Sequence, residues 1–165
     1  MRRRVFLLLT VLWMAVIFCF SSKDAASSTE DSYLIGRTAA VLLVPGFRGM
    51  SAEEQQAVVK SMDHKVRKTA HFFEYAVLGA LLAGVFFQAG SGKTDCIRQG
   101  IRAWAAGIGY AASDEIHQMF VPGRACMWTD VVLDSAGVLA GLLLGWCVLF
   151  FCSSCTLRKN QREVL

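Results

Sequence analysis

The 165-residue chain is 55% hydrophobic, with a formal net charge of +4 and a mean hydropathy of +0.44. That is the length of one domain, and it is too apolar for an ordinary soluble one. The basic residues flank apolar runs, and no patch interleaves them with aromatic residues as single-strand nucleic-acid binders require, so nucleic acid is excluded as a partner and a membrane is indicated.

Met1–Arg4 is basic and Val5–Phe20 is an unbroken apolar run of 16 residues. A secretory signal peptide competes for this segment, because a charged start and a Ser-rich exit fit one. A lipoprotein signal does not fit, since bulky Phe18 precedes Cys19. We read an uncleaved first span, slightly short for a bilayer core of ~30 Å. Ser21–Ser32 is polar and reads as a loop. Leu34–Val44 is apolar but has only 11 residues and contains Arg37, so it reads as an interfacial or partly re-entrant segment ended by Pro45-Gly46. Ser51-x-x-Glu54 is a capping box that starts an amphipathic helix with Val58, Met62 and Val66 on one side, able to run on into the next span. His64 falls in a polar stretch and reads as a loop residue without a special role.

Thr69–Ala89 is the second span, followed by a short turn at Gly90–Lys93. The third runs from about residue 101 to 120 with a polar last third, and Pro122-Gly123 turns the chain into the fourth, 131–152, leaving a basic tail at 153–165. The predicted fold is thus all-α, a membrane bundle of four spans (5–20, 69–89, 101–120, 131–152) with an interfacial segment between the first two, in a single domain. Arg2–Arg4, Lys93, Arg98, Arg158, Lys159 and Arg162 all fall on one side of that arrangement. The positive-inside rule makes that side, with both termini, cytoplasmic and the segment 21–68 extracytoplasmic.

The six cysteines do not read as a disulfide framework. Cys19 and Cys147 lie within apolar runs, and Cys96, Cys152 and Cys155 fall on the reducing side; only Cys126 faces outward. The single Cys152–Cys155 CxxC reads as an apolar helix end rather than as a metal or redox motif. Trp13, Trp104, Trp128 and Trp146 read as belt or packing residues.

The chemistry lies in four polar clusters, each at or just inside the same end of an apolar segment, where ionisable groups are costly and mark sites. Phe20-Ser21-Ser22-Lys23 ends the first. On the second, Arg67, His71, Glu74 and Leu78 share a face beside Lys68, with Glu74 about 10 Å below Arg67 at 1.5 Å per residue. A carboxylate there needs a partner or a proton. On the third, Tyr110, Asp114 and His117 share a face, with Glu115 and Gln118 beside it and Arg124 in the turn. On the fourth, Asp130 and Asp134 begin a stripe continued by Gly137, Gly141 and Gly145, a doubled GxxxG that lets another helix approach and carries the aspartates inward. The blander roles are helix capping for Asp130, snorkelling for Arg67 and Lys68, and internal salt bridges for the acids.

His71-x-x-Glu74 and Asp114-x-x-His117 have the i, i+3 spacing used by inward metal ligands, but the adjacent basic residues favour an anion, and no metal or cofactor is expected. Arginine forks suit phosphate or carboxylate oxygens, acids below would hold the cations in place, and histidine could move protons. No P-loop, GxSxG or other nucleophilic serine motif accompanies them.

The order FSSK (Phe20–Lys23), RKxxHFxEY (Arg67–Tyr75), YxxSDExHQxFVPGR (Tyr110–Arg124) and DVxxDxxG (Asp130–Gly137) resembles the VanZ-like membrane protein family, over about Trp13 to Gly145. Lys23 departs from the glutamine of many members. The resemblance implies a small multi-span bacterial membrane protein, with a founding member linked to low-level teicoplanin resistance. It adds Ser21, Tyr75, Pro122 and Gly123 to the motif residues. Three functions are open at this point. One is an outward site (Ser22, Arg67, Lys68, His71, Glu74, Tyr110, Asp114, Glu115, His117, Gln118, Arg124, Asp130, Asp134) that binds an anionic membrane lipid or lipid-linked cell-wall precursor. Another is an enzyme acting on a lipid-linked phosphate or sugar, with His71, Glu74, Asp114 and His117 as catalytic candidates. The third is a small transporter or scaffold, for which four spans offer little room unless the protein forms an oligomer.

Overall fold

The computed structural model describes residues 1–88 and 91–162, without the side chains of 25–27, 29–31 and 152–162. Among the described residues the chain is all-helical and has no strand. The elements are α1 (Arg2–Ser21), α2 (Ala25–Leu43), a 3-10 turn (Phe47–Gly49), α3 (Ala52–Phe86), α4 (Lys93–Gln118) and α5 (Trp128–Arg162). The Gly90 end of the expected 90–93 turn and the side chains of the Cys152–Cys155 motif lie outside the described residues.

Three helices are long and apolar enough to cross a membrane: Arg2–Ser21, Ala52–Phe86 and Trp128–Phe151. Their outer faces are apolar, with Leu8 and Leu12 of α1 and Leu144 and Phe151 of α5 exposed, the surface a lipid solvent accepts. Helix α4 has 26 residues, about 39 Å of helix, which is length enough. Its composition sets it apart, because charges at Lys93, Asp95, Arg98 and Arg102 and again at Asp114 and Glu115 leave only 103–113 uncharged between them.

Several boundaries differ from expectation. Ser21–Ser32, expected as a loop, is helical from Ala25, and residues 34–43 of the apolar stretch form the second half of the same 19-residue α2. The amphipathic helix and the second span are one helix of 35 residues, which places His64 on α3 rather than in a loop. The capping box forms as read: the Glu54 N–H donates to the Ser51 hydroxyl (3.3 Å) and the Ser51 N–H donates to the Glu54 carboxylate (2.8 Å). Pro45-Gly46 and Pro122-Gly123 do turn the chain, with both glycines at positive φ (76° and 74°) where a side chain would be strained. Helix α5 continues through residues expected as tail, to Arg162.

The bundle is held most closely along the α3–α5 seam. A Cβ on Gly141 would fall on the Ala76 carbonyl, one on Gly137 on the Phe72 carbonyl, and one on Gly79 of the facing helix on the Val138 carbonyl. Small residues on both helices therefore let the backbones meet, as packing inside a bilayer favours. Around that seam Ile17, Tyr75, Leu78, Ala111, Val138 and Leu142 form the core. Two of the four tryptophans also hydrogen-bond across helices. The Trp13 indole donates to the Glu74 carbonyl (2.8 Å) and the Trp104 indole to the Ser135 carbonyl (3.0 Å), tying α1 to α3 and α4 to α5. Helix α2 packs on the first half of α3 through Ala40 and Val59, with Phe47 of the 3-10 turn. An Arg2 to Phe87 carbonyl hydrogen bond puts the start of α1 beside the end of α3. The ends of α1 and α4 and the starts of α5 and of the apolar half of α3 then share the opposite end of the bundle.

Candidate functional site

The four clusters meet at that end. Helix α1 delivers its last residues to α4. The Ser21 hydroxyl donates to Asp114 Oδ2 (2.7 Å), Ser22 Oγ lies 3.1 Å from His117 Nε2, and the Tyr110 hydroxyl donates to the Met14 carbonyl (2.6 Å). The Phe18 and His117 rings pack with centroids 4.5 Å apart. Asp114, Glu115 and Gln118 are buried. Gln118 donates to the same Asp114 oxygen (3.2 Å), while Glu115 accepts the Met127 N–H (3.0 Å) and so fixes the turn that carries Arg124. Lys68 on α3 reaches Asp130 on α5 at 2.7 Å. Asp130 is the third residue of α5, in its first turn, so it faces the positive end of the helix and pairs with a lysine instead of capping.

Two cavities open here, of about 210 and 170 Å³. Arg67, His71 and Arg124 line both and form the wall between them. The first also touches Phe20 and Lys23 of α1, Ile35 of α2 and Glu74; the second touches Lys68, His64, Gln118 and Asp130. Asp63 holds one terminal nitrogen of Arg67 at 3.2 Å. The Nε atoms of Arg67 and Arg124 are both shielded from solvent without a hydrogen-bond partner. Burial first, and then the nearby Arg67 charge, lower the Arg124 pKa from its usual value, while Asp114, Glu115 and Glu74 oppose that shift. The two guanidinium charges repel, and an anion bound beside both relieves the repulsion.

The acids are arranged differently from the expected supports. Arg67 is held by Asp63 and Lys68 by Asp130, and among the described residues neither Asp114 nor Asp134 forms an ion pair with an arginine or lysine. Asp134 is fully buried with both carboxyl oxygens unpartnered, and Asp114 Oδ1 is likewise unpartnered. Glu74 lies 3.9 Å from His71 Nδ1, too far for a hydrogen bond and an ion pair only when the imidazole is protonated. Among the described residues no group of three or more His, Cys, Asp or Glu side chains is placed to hold a metal ion. Ser22 donates its own hydroxyl proton to the Phe18 carbonyl (2.7 Å), so it presents an acceptor to His117, the reverse of an activated nucleophile.

Reading residue types alone undervalued Ser21, Tyr75 and Asp63. Ser21 is buried against Asp114, and Tyr75 is fully buried with an unpartnered hydroxyl close to the same carboxyl. Ser21 was read only as part of the polar end of the first span, and Tyr75 came through the family motif. The signal for Asp63 was its i, i+4 spacing to Arg67.

Comparison with known proteins supplies one match. The family described as VanZ/LLP1 matches residues 6–151, nearly the whole chain. No curated protein and no solved structure matched it. A match of that extent, over a helical bundle whose polar blocks converge at one end, makes this chain a member of the VanZ-like family.

Proposed function

We propose that this is a four-span protein of the bacterial cell envelope whose outward-facing site binds the anionic headgroup of a membrane lipid or a lipid-linked cell-wall intermediate. The observation that carries the reading is that Arg67 and Arg124 both line two cavities, each with a shielded Nε that has no hydrogen-bond partner among the described residues. Helix α4 serves as the remaining span: its charge-free middle packs into the bundle through Ala103, Gly107 and Ala111, and its charged ends lie at the two interfaces. The basic residues Arg2–Arg4, Lys93 and Arg98 gather at the other end of the bundle, which supports cytoplasmic termini. Burial of Ile17 and Ser21 in the bundle supports an α1 retained in the mature protein. A headgroup held at the outer surface is the route by which such a protein would alter glycopeptide, and specifically teicoplanin, susceptibility.

Purified protein in neutral detergent is expected to retain phosphatidylglycerol over phosphatidylcholine, with the preference weakening as salt rises because the attraction is between charges. Equal retention of the two lipids contradicts the reading. A reaction on a lipid-linked phosphate is the second reading, favoured by the His71–Glu74 pair at the cavity wall. It requires turnover of such a lipid by purified protein that His71→Ala abolishes.

A further inference from the structure

The two cavities differ in chemistry on either side of the arginine wall, and that difference specifies more of the ligand than its charge. The first cavity is bordered by Phe20 and Ile35, both about half exposed, and by Val66 and Ala70, with Lys23, Glu74 and two serines beside them. The apolar groups accept an alkyl chain entering from the surrounding lipid, alongside the polar ones. The second cavity is bordered by His64, Gln118 and the Lys68–Asp130 pair, with Gly123, Ala125 and Met127. Its polar groups offer donors and acceptors of both kinds, which suit hydroxyl groups, and the Lys68 charge is already paired with Asp130. An anion seated on Arg67 and Arg124 touches both spaces.

We propose that the site takes a phosphodiester amphiphile, with its chain in the cavity of Phe20 and Ile35, its phosphate on Arg67 and Arg124, and a polyhydroxyl substituent in the cavity of His64 and Gln118. This rests on the anion-binding reading and adds a direction and a headgroup class to it. His64, an exposed residue on the outer part of α3, then becomes a specificity-determining residue. Gln118 is less free to choose, because its amide is already committed to Asp114.

The test compares probes of equal charge. Dodecyl phosphoglycerol and dodecyl methyl phosphate are both monoanionic diesters and differ only in the polyol. Binding is read by native mass spectrometry of the full chain released from neutral maltoside micelles. The glycerol ester is expected to bind more tightly by the roughly two- to tenfold worth of one ordinary hydrogen bond. His64→Ala is expected to bring the two probes to parity while leaving the methyl ester as it was. His64 is exposed, so this variant is expected to fold, and a matching thermal melt checks that. Water-soluble glycerol phosphate is expected not to bind where the dodecyl ester saturates. Equal binding of the two esters to the wild type overturns the polyol assignment, as does a preference that survives His64→Ala. Glycerol phosphate binding as tightly as its dodecyl ester overturns the chain cavity. Failure of every probe to bind overturns the anion reading on which this inference stands.

Discussion

Arg124→Ala is expected to weaken binding of an anionic headgroup by roughly 30-fold or more, the consequence of removing one partner from a shielded charge pair at about 2–5 kcal/mol. The size of the effect follows from position. Arg124 sits on the turn fixed by Glu115 and lines both cavities together with Arg67, so its loss removes one of the two guanidinium groups from each. Arg124→Lys is expected to fall between, because an ammonium keeps the charge and loses the two-pronged geometry. Arg98→Ala, at the other end of the bundle and well exposed, is expected to bind like the wild type. Headgroup retention by the folded variants in neutral detergent reads all three. Wild-type binding by Arg124→Ala, or an equal loss in Arg98→Ala, contradicts the assignment.

The second large effect concerns the scaffold. Gly141→Ala places a Cβ on the Ala76 carbonyl, a backbone group that no rotamer change can move aside. The helices must separate along the seam that also brings Asp134 and Asp130 to α3. Overpacking of this kind costs about 1–3 kcal/mol and lowers the melting temperature by roughly 2–4 °C for each of them. Gly109→Ala is the control, since no atom lies within 4 Å of its added Cβ, and alanine favours a helix over glycine by about 1 kcal/mol. Its melt is expected to match or exceed the wild type. A Gly141→Ala protein that melts with the wild type would mean that the seam is looser than its geometry requires.

Much of the bundle was legible because a membrane simplifies the code. Apolar runs of the required length, basic flanks and a glycine stripe each have one dominant cause, and α1, the second half of α3 and α5 follow from them. Helix α2 was not legible. Ser27, Ser28, Thr29, Asp31 and Ser32 favour caps and turns by offering the backbone local partners, and nothing in that composition announces that Ala40 will pack on Val59. The unbroken α3 was readable only as an allowance, because its polar and apolar halves have different solvents and no breaker separates them.

For the site, the convergence of four polar blocks was legible from their shared depth, but their pairing was not. Lys68 with Asp130 and Ser21 with Asp114 join residues 62 and 93 positions apart, and spacing along one helix is silent about partners on another. The expectation that acids below would brace the arginines came from charge complementarity alone. The packing instead seats Asp114 against a serine and a glutamine, and leaves Asp134 buried with no hydrogen-bond partner among the described residues.

A shared outward pocket requires the polar ends of α1 and α4 to open together away from the cytoplasm. Single-cysteine proteins test it in intact cells with a membrane-impermeant maleimide: one keeps native Cys126, one carries Lys23→Cys, and one carries Arg98→Cys at the far end of α4. Cys126 and position 23 are expected to label without permeabilisation, and position 98 only after it. Labelling of positions 23 and 126 from opposite faces of the bilayer would contradict the shared outward pocket.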